Sequence, residues 1–319
     1  MYKVSVIVPV YNAGKYIERC IRSLFEQTLQ KIEYIFVDDC SPDNSMDIIR
    51  QILEEYPDRK DDVRILTHTV NTGQSGARRD GMKIASGEYI IHCDADDWVD
   101  IDMYERMYKK AVKENAEAVC CDIVLEFDKK SQILKTEHRY EDHQLMYDCL
   151  APISVEYFSM CNRLVSRKVY ERNTILPFEG VNMWDDVGLS IRVRYYAEGT
   201  AVINEPFYHY NRQNDTSTTR RPIMDRTREQ DICIGRLEDF FMNENVWDRY
   251  RLFLSYLKIH SIEELFFHDA DEWLTRFDSV RRDLWKVRKR FRNSRLIKFY
   301  TVSYGGFIGK LIWKTWWKR

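Results

Sequence analysis

Residues 86–97 read SGEYIIHCDADD. Gly87 punctuates the chain, Tyr89-Ile90-Ile91-His92-Cys93 is a short apolar run, and Asp94, Asp96 and Asp97 follow at once. A run of this length after a turn residue reads as a buried strand. The acids then fall at its carboxyl end, the edge where open α/β sheets bind ligands. The pattern recurs upstream. Tyr34-Ile35-Phe36-Val37 runs into Asp38-Asp39, and Val4-Ser5-Val6-Ile7-Val8 closes at Pro9 before a turn at Asn12-Ala13-Gly14. Val63-Arg64-Ile65-Leu66 adds a fourth apolar run.

Helical spacing fills the gaps between these runs. Ile17, Cys20, Ile21, Leu24 and Phe25 form one apolar stripe, and Ile48, Ile49, Ile52 and Leu53 form another after a loop, residues 41–45, with helix-start chemistry. Residues 76–86 and 101–114 also read as helices. Strands alternating with helices imply parallel βαβ units, hence an open α/β sheet flanked by helices. Val119 to Phe127 reads as a further strand. Residues 130–180 read as loops with one helix near 165–173, and a weakly patterned helix follows Asp186. Beyond about residue 222 strand signals fade and charged helical patterns take over. The expected domains are 1–221, catalytic, and 222–319, a helical extension.

Carboxylates gathered at one sheet edge repel one another, and the arrangement calls for a cation or donors. Mg²⁺ and Mn²⁺ favour oxygen ligands and bind phosphates well. The bland alternative is aspartates that only shape turns or cap helices. Two acidic groups at neighbouring strand ends favour a site. No GxxxxGK[ST] loop occurs and no GxGxxG follows the first strand, so a metal held by aspartates is the natural phosphate anchor.

Four blocks carry a family resemblance: Val4 to Asn12 (VSVIVPVYN), Val37 to Ser45 (VDDCSPDNS), Asn71 to Gly81 (NTGQSGARRDG) and Ser86 to Asp97. In order and spacing they resemble the family 2 glycosyltransferases, across about residues 1–215. That resemblance implies the GT-A fold, a Rossmann-like open mixed sheet. It also implies inverting, metal-dependent transfer of a sugar from a nucleotide-diphosphate donor, with Mn²⁺ or Mg²⁺ as cofactor. Pro9, Tyr11 and Asn12 would line the nucleotide pocket. Asp38 and Asp39 would hold base and ribose, which leans to a uridine donor. Asn71, Gly73 and Arg78 would lie in the donor region, Arg78 as a partner for base or phosphate oxygens, with a surface helix position as its alternative.

Asp94 and Asp96 match the DxD element, Asp96 on the metal and Asp94 on ribose or metal. Trp184-Asp185-Asp186 resembles the family's Glu-Asp motif, with Asp185 in place of Glu. Asp186 then matches the catalytic base, its pKa raised by the Asp185 charge; the alternative is a helix cap. Tyr208-His209-Tyr210-Asn211-Arg212 resembles the closing strand and loop, with Asn211 inserted. His209 is a candidate third metal ligand or a packed strand histidine.

Charge is uneven. The chain's 49 Lys and Arg nearly balance 51 Asp and Glu, for a net −2. Residues 281–319 hold 13 of the bases and one acid, so that segment is +12 and the remainder −14. Within 284–319, Trp, Phe, Leu and Ile interleave with Lys and Arg, and Gly305-Gly306 divides the segment into two helices. Phe307, Ile308, Leu311, Ile312 and Trp316 would share one face. Trp with basic residues on a short amphipathic helix suits a membrane interface. Docking on a protein is the alternative, and nucleic acid is not expected.

No signal peptide or membrane-spanning run is evident, and the eight cysteines lack metal or redox spacing. A cytoplasmic protein, peripheral on the inner face of the cell membrane, is the expectation. Its acceptor would be a glycan or a lipid-linked molecule, as in surface polysaccharide or lipopolysaccharide synthesis. A sugar-nucleotide nucleotidyltransferase and a non-catalytic membrane scaffold are the competing functions. The first usually carries a glycine-rich basic loop after its first strand, which Tyr11-Asn12-Ala13-Gly14 is not.

Overall fold

A computed structural model describes residues 1–135, 158–215, 217–288 and 293–317. These residues form two compact units, divided between Ser217 and Thr218.

The first unit is built on a nine-stranded mixed sheet. β1 (Val4–Val10) pairs in parallel with β2 (Ile32–Asp38) and β4 (Tyr89–His92), and β2 pairs with β3 (Val63–Thr67). Helices α1 (Ile17–Phe25), α2 (Ser45–Glu55) and α3 (Gly73–Ile84) connect them. Alternate side chains of β1 supply both faces of the sheet. Val4, Val6, Val8 and Val10 pack with the buried stripes of α1 and α2, while Ile7 packs with Ala77 and Met82 of α3. A strand covered on both sides has no polar face to show, which is why these runs lack alternation.

Beyond β4 the sheet becomes mixed. β5 (Trp98–Val99) is two residues long, and α4 (Met103–Glu114) leads to β6 (Ala118–Glu126). β7 (Ser131–Leu134) pairs antiparallel with β6. β8 (Arg163–Ser166) runs antiparallel between β4 and β6, and is followed by α5 (Arg167–Arg172). α6 (Asp185–Tyr196) precedes β9 (Thr200–Asn211), which lies parallel to β6 and antiparallel to β5. The loops expected across residues 136–157 lie outside the described residues.

α6 gave a weak sequence pattern because it has little polar face. Residues 187–194 are all buried, Arg192 and Arg194 included. A helix buried all round, with polar residues among its covered positions, loses its 3.6-residue signal. β9 is the long strand that sequence reading largely missed. Its register against β6 slips on either side of Asp122, and Pro206 interrupts its alternation.

The second unit is helical: α7 (Ile223–Asn243), α8 (Trp247–Ser261), α9 (Ala270–Phe277), α10 (Asn293–Tyr304) and α11 (Gly306–Ile312). Phe241 stacks on Tyr250 at 3.8 Å between ring centroids, joining α7 to α8. Trp273 stacks on Phe277 at 4.5 Å, and Phe299 of α10 lies 5.2 Å from Trp273. The chain turns sharply at Gly305-Gly306. A side chain at Gly309 would run into the Thr301 carbonyl, so the α10–α11 approach needs glycine there. Among the described residues no helix is long and apolar enough to cross a membrane.

Candidate active site

The site forms where β1, β2, β3 and β4 end. Left-handed backbone marks these junctions: Asn12 (φ 51°) after β1, Cys40 (φ 59°) after β2 and Gly73 (φ 78°) after β3. Trp184 (φ 71°) occupies the same region just before α6. Non-glycine residues rarely sit there, and such strain gathers at functional sites.

The first two loops hold each other. Ser41 Oγ accepts the Asn12 N–H at 2.9 Å, Ser45 Oγ accepts the Ala13 N–H at 3.0 Å, and Asp43 Oδ2 accepts the Gly14 N–H at 2.7 Å. The residues 41–45 expected to start α2 thus mainly hold the neighbouring loop; Asn44 makes no side-chain cap, and Asp43 Oδ1 accepts the Ser45 N–H at 3.1 Å. Pro9 is partly covered at the end of β1, and Tyr11 stands 52% exposed beside it, free to meet a ligand.

Asp38 and Asp39 differ in role. Asp38 Oδ1 accepts the Ser41 N–H at 2.8 Å and is half-buried at the end of β2. Asp39 is buried and turned toward the loop after β3. Its Oδ1 accepts from the Thr72 N–H and Oγ1, both at 2.8 Å, and contacts His68 Nδ1 at 2.8 Å; its Oδ2 accepts the Gly73 N–H at 2.7 Å. The expectation that Asp39 reaches base or ribose meets a physical obstacle: both oxygens are committed to shaping the loop that carries Asn71 and Gly73. Asn71 itself is exposed, its Oδ1 accepting the Gly73 N–H at 3.1 Å.

Arg78 also departs from expectation. It is fully buried rather than on a helix surface or free for phosphate. Nη2 donates to Asp94 Oδ1 and Nη1 to Asp185 Oδ2, each at 2.6 Å. One guanidinium thus ties the acidic motif after β4 to the acidic pair opening α6. A planar fork suits two carboxylates at once. Gln74 Nε2 donates to the same Asp94 oxygen at 2.9 Å. Asn182 adds a second tie, its Oδ1 accepting from the Ser75 N–H at 3.1 Å and Oγ at 3.0 Å. A Cβ on Gly73 would overlap that Asn182 amide.

The carboxylates have distinct electrostatics. Burial, then the Asp94 charge, pushes the Asp96 carboxyl up to about 6, against a 2.7 Å hydrogen bond from Asn214 Nδ2. Asp97 is buried and driven well up, first by burial and then by the Asp96 and Asp94 charges; it accepts from Tyr208 Oη at 2.5 Å and the Asn211 N–H at 2.8 Å. Tyr208 Oη in turn accepts the Asp94 N–H at 3.2 Å.

At the start of α6, Asp185 is raised by burial, with Arg78 pulling the other way. Asp186 is pushed up to about 7, first by burial and next by the Asp185 charge, against Arg78. Sequence reading named the second cause and missed the first. Asp186 Oδ1 accepts the Val187 N–H at 2.8 Å inside the first turn, while Trp184 holds the N-cap position with no side-chain cap, so Asp186 does not act as the helix cap.

Asp94 and Asp96 present only carboxylate oxygens, a donor set suited to Mg²⁺ or Mn²⁺, which take remaining ligands from water and phosphate. Among the described residues no three of His, Cys, Asp and Glu are grouped to hold a metal. His209 does not join the pair as a third ligand. Its Nδ1 contacts Glu126 at 2.8 Å, its Nε2 contacts Asp100 at 3.1 Å, and its ring stacks on Trp98 at 5.1 Å. The strand register sets this, placing His209 opposite Trp98 and leaving Tyr208 to face the acids. Gln74 and Tyr208 lie within the quoted blocks but were given no role, and Asn182 and Asn214 were missed because isolated polar residues carry no motif.

The family model described as glycosyl transferase family 2 matches residues 5–174. The chain belongs to that family. It is 30% identical over 248 residues to EpsH of Bacillus subtilis (strain 168), an alignment covering 76% of this chain and 70% of EpsH. Solved structures share the fold of this family 2 chain. TarS 1–349 of S. aureus, in complex with UDP-GlcNAc, superposes with a TM-score of 0.63 at 16% identity, covering 96% of this chain and 92% of that fragment. The mannosyltransferase PcManGT of Pyrobaculum calidifontis, in complex with GDP-Man and Mn²⁺, gives 0.57 at 17% identity, covering 99% and 84%. The GT-A architecture implied by the four sequence blocks is thereby established.

Proposed function

We propose that this family 2 chain is an inverting, metal-dependent glycosyltransferase. Its donor is a nucleotide-diphosphate sugar, UDP-linked, and its acceptor a hydroxyl on a glycan or lipid-linked molecule of surface polysaccharide or lipopolysaccharide synthesis. The catalytic part is residues 1–221. Residues 222–319 form a helical extension that holds the protein peripherally at the inner face of the cell membrane. The observation carrying this reading is the double ion pair of Arg78, which unites the donor-side Asp94 with the pair containing Asp186. The sugar nucleotides bound by TarS and PcManGT support the donor class, and the Mn²⁺ in PcManGT supports the cation.

In this mechanism Asp186 accepts the proton of the acceptor hydroxyl. Its raised pKa suits a base working near neutrality. The hydroxyl oxygen attacks the anomeric carbon as the bond to the diphosphate oxygen breaks. The electron pair leaves on the nucleoside diphosphate, and one displacement inverts the anomeric centre through an oxocarbenium-like transition state. A divalent cation, held by Asp94 and Asp96, would neutralise the departing diphosphate. Arg78 places Asp94 and Asp185 through its two arms, Tyr208 orients Asp97, and Asn214 orients Asp96.

The test is a screen of sugar nucleotides with the purified protein and Mn²⁺, reading nucleoside diphosphate release and the anomeric configuration of product. UDP release with inversion is the expected result. Retention at the anomeric carbon would refute the single displacement. Pyrophosphate release from a sugar phosphate and a nucleoside triphosphate would favour the nucleotidyltransferase, and binding without turnover the scaffold.

A further inference from the structure

The basic end of the chain carries two sets of apolar residues, and the structure spends only one on folding. Phe299, Val302 and Trp313 are buried; Phe299 packs against Phe266, Trp273 and Phe277, and Trp313 Nε1 donates to the Phe266 carbonyl. The other set faces outward: Ile297 (63% exposed), Tyr304 (61%), Ile308 (67%), Leu311 (51%) and Trp316 (81%). Six of the fifteen large apolar residues exposed among the described residues fall between Trp285 and Trp316. Such residues singly are ordinary; a concentration of them marks a binding surface.

Charge identifies the partner. Segment 281–319 carries a net +12 in a chain that is otherwise net negative. Some of its cations are answered locally, Arg295 by Glu263 and Lys310 by Asp271. Lys314, between Leu311 and Trp316, is exposed and makes no ion pair among the described residues, and Arg282 is likewise exposed. Short aliphatic side chains and Trp beside uncompensated cations match the boundary between anionic headgroups and acyl chains. Tyr304 and Trp316 could stack on bases, but the aliphatic Ile297, Ile308 and Leu311 beside them could not, whereas an acyl phase takes both.

We infer that Ile308 and Leu311 of α11, with Lys314 and Trp316 of the π-helical turn Trp313–Trp317 that continues it, form the surface that enters an anionic phospholipid leaflet, while Trp313 anchors that turn to its own unit. The inference rests on the proposed membrane association and specifies its contact. Phe307 and Lys318, placed by the sequence on or near the same helix, have side chains outside the described residues.

The test uses the full chain with vesicles of phosphatidylglycerol and phosphatidylcholine, and with phosphatidylcholine alone. Sedimentation and tryptophan emission report binding. Wild type should bind only the anionic vesicles, with a blue-shifted emission and with affinity falling as salt rises. Ile308→Ser/Leu311→Ser/Trp316→Ser should bind about tenfold or more weakly, and Lys314→Glu should weaken binding further. The triple variant should keep the wild-type melting temperature and donor hydrolysis, because its residues are exposed. Trp313→Ala should lower the melting temperature. Equal binding by the triple variant would overturn the assigned surface while leaving membrane association intact. Binding to RNA or a protein fraction with no vesicle binding would overturn both, and neither outcome touches the sugar-transfer reading, which donor hydrolysis reports separately.

Discussion

Arg78 and Asp185 meet at 2.6 Å inside the protein, and the other arm of the same guanidinium reaches Asp94 at 2.6 Å. The arginine is 2% exposed, so these partners replace its water. Two acidic motifs 91 positions apart in the chain share one buried cation. Breaking a buried pair by deleting one member strands the other charges.

Arg78→Met should therefore cost about 3–5 kcal/mol of stability. Arg78→Lys should recover only part, since one ammonium cannot fork to two carboxylates. Urea denaturation of the three proteins measures this. A variant as stable as wild type would mean that the ion pairs are not what holds the two motifs.

Activity should depend on pH through Asp186. The base form is the carboxylate, so kcat/KM should rise with pH through about 7 and level off above it. Arg78 lowers this pKa, so its removal should shift the rising limb to higher pH wherever activity persists. A pH–rate profile at saturating Mn²⁺ checks both. A flat profile across this range would remove Asp186 from the role of base.

Asp186→Asn should lower kcat about 10²- to 10⁴-fold. UDP binding should survive, because the substitution removes a like charge beside Asp185 and leaves Asp94 and Asp96 in place. Turnover and calorimetric UDP affinity, measured together, separate loss of the base from loss of the pocket.

Asp96→Asn acts on the donor side. Wild type should melt higher with UDP plus Mn²⁺ than with either alone, as binding to the native state requires. In the variant the Mn²⁺-dependent increment should disappear while the ligand-free melting temperature stays near wild type. An unchanged increment would show that the cation is held elsewhere.

Tyr208→Phe removes a hydroxyl that serves Asp97 and the Asp94 N–H together. The loss leaves a buried acid under-satisfied and should cost about 1–3 kcal/mol. Thermal denaturation and donor affinity should both register it; stability without change would make the hydroxyl incidental.

The sheet's parallel half was readable because β1, β2 and β4 are buried on both faces and end at turn residues and acids. The stripe Ile17, Cys20, Ile21, Leu24 and Phe25 packs as its spacing said. β9 escaped because a twelve-residue strand with a register slip and a proline has no steady period. At the site, motif position brought Asp94, Asp96, Asp185 and Asp186 into view, but not their partners. Sequence spacing could not show that Asp39 turns inward to Thr72 and Gly73, or that Arg78 answers carboxylates in place of phosphate. Those outcomes depend on which neighbours compete for each polar group once water is excluded.

The overlap that forbids a side chain at Gly73 has an evolutionary corollary. A bulkier residue there must first displace the amide of Asn182, a position more than a hundred residues away. Replacing Gly73 therefore demands both a left-handed backbone that side chains rarely adopt and a change or displacement of Asn182, whereas Asn182 is under no such demand from Gly73, so the constraint on the seam between the loop after β3 and the approach to α6 runs one way.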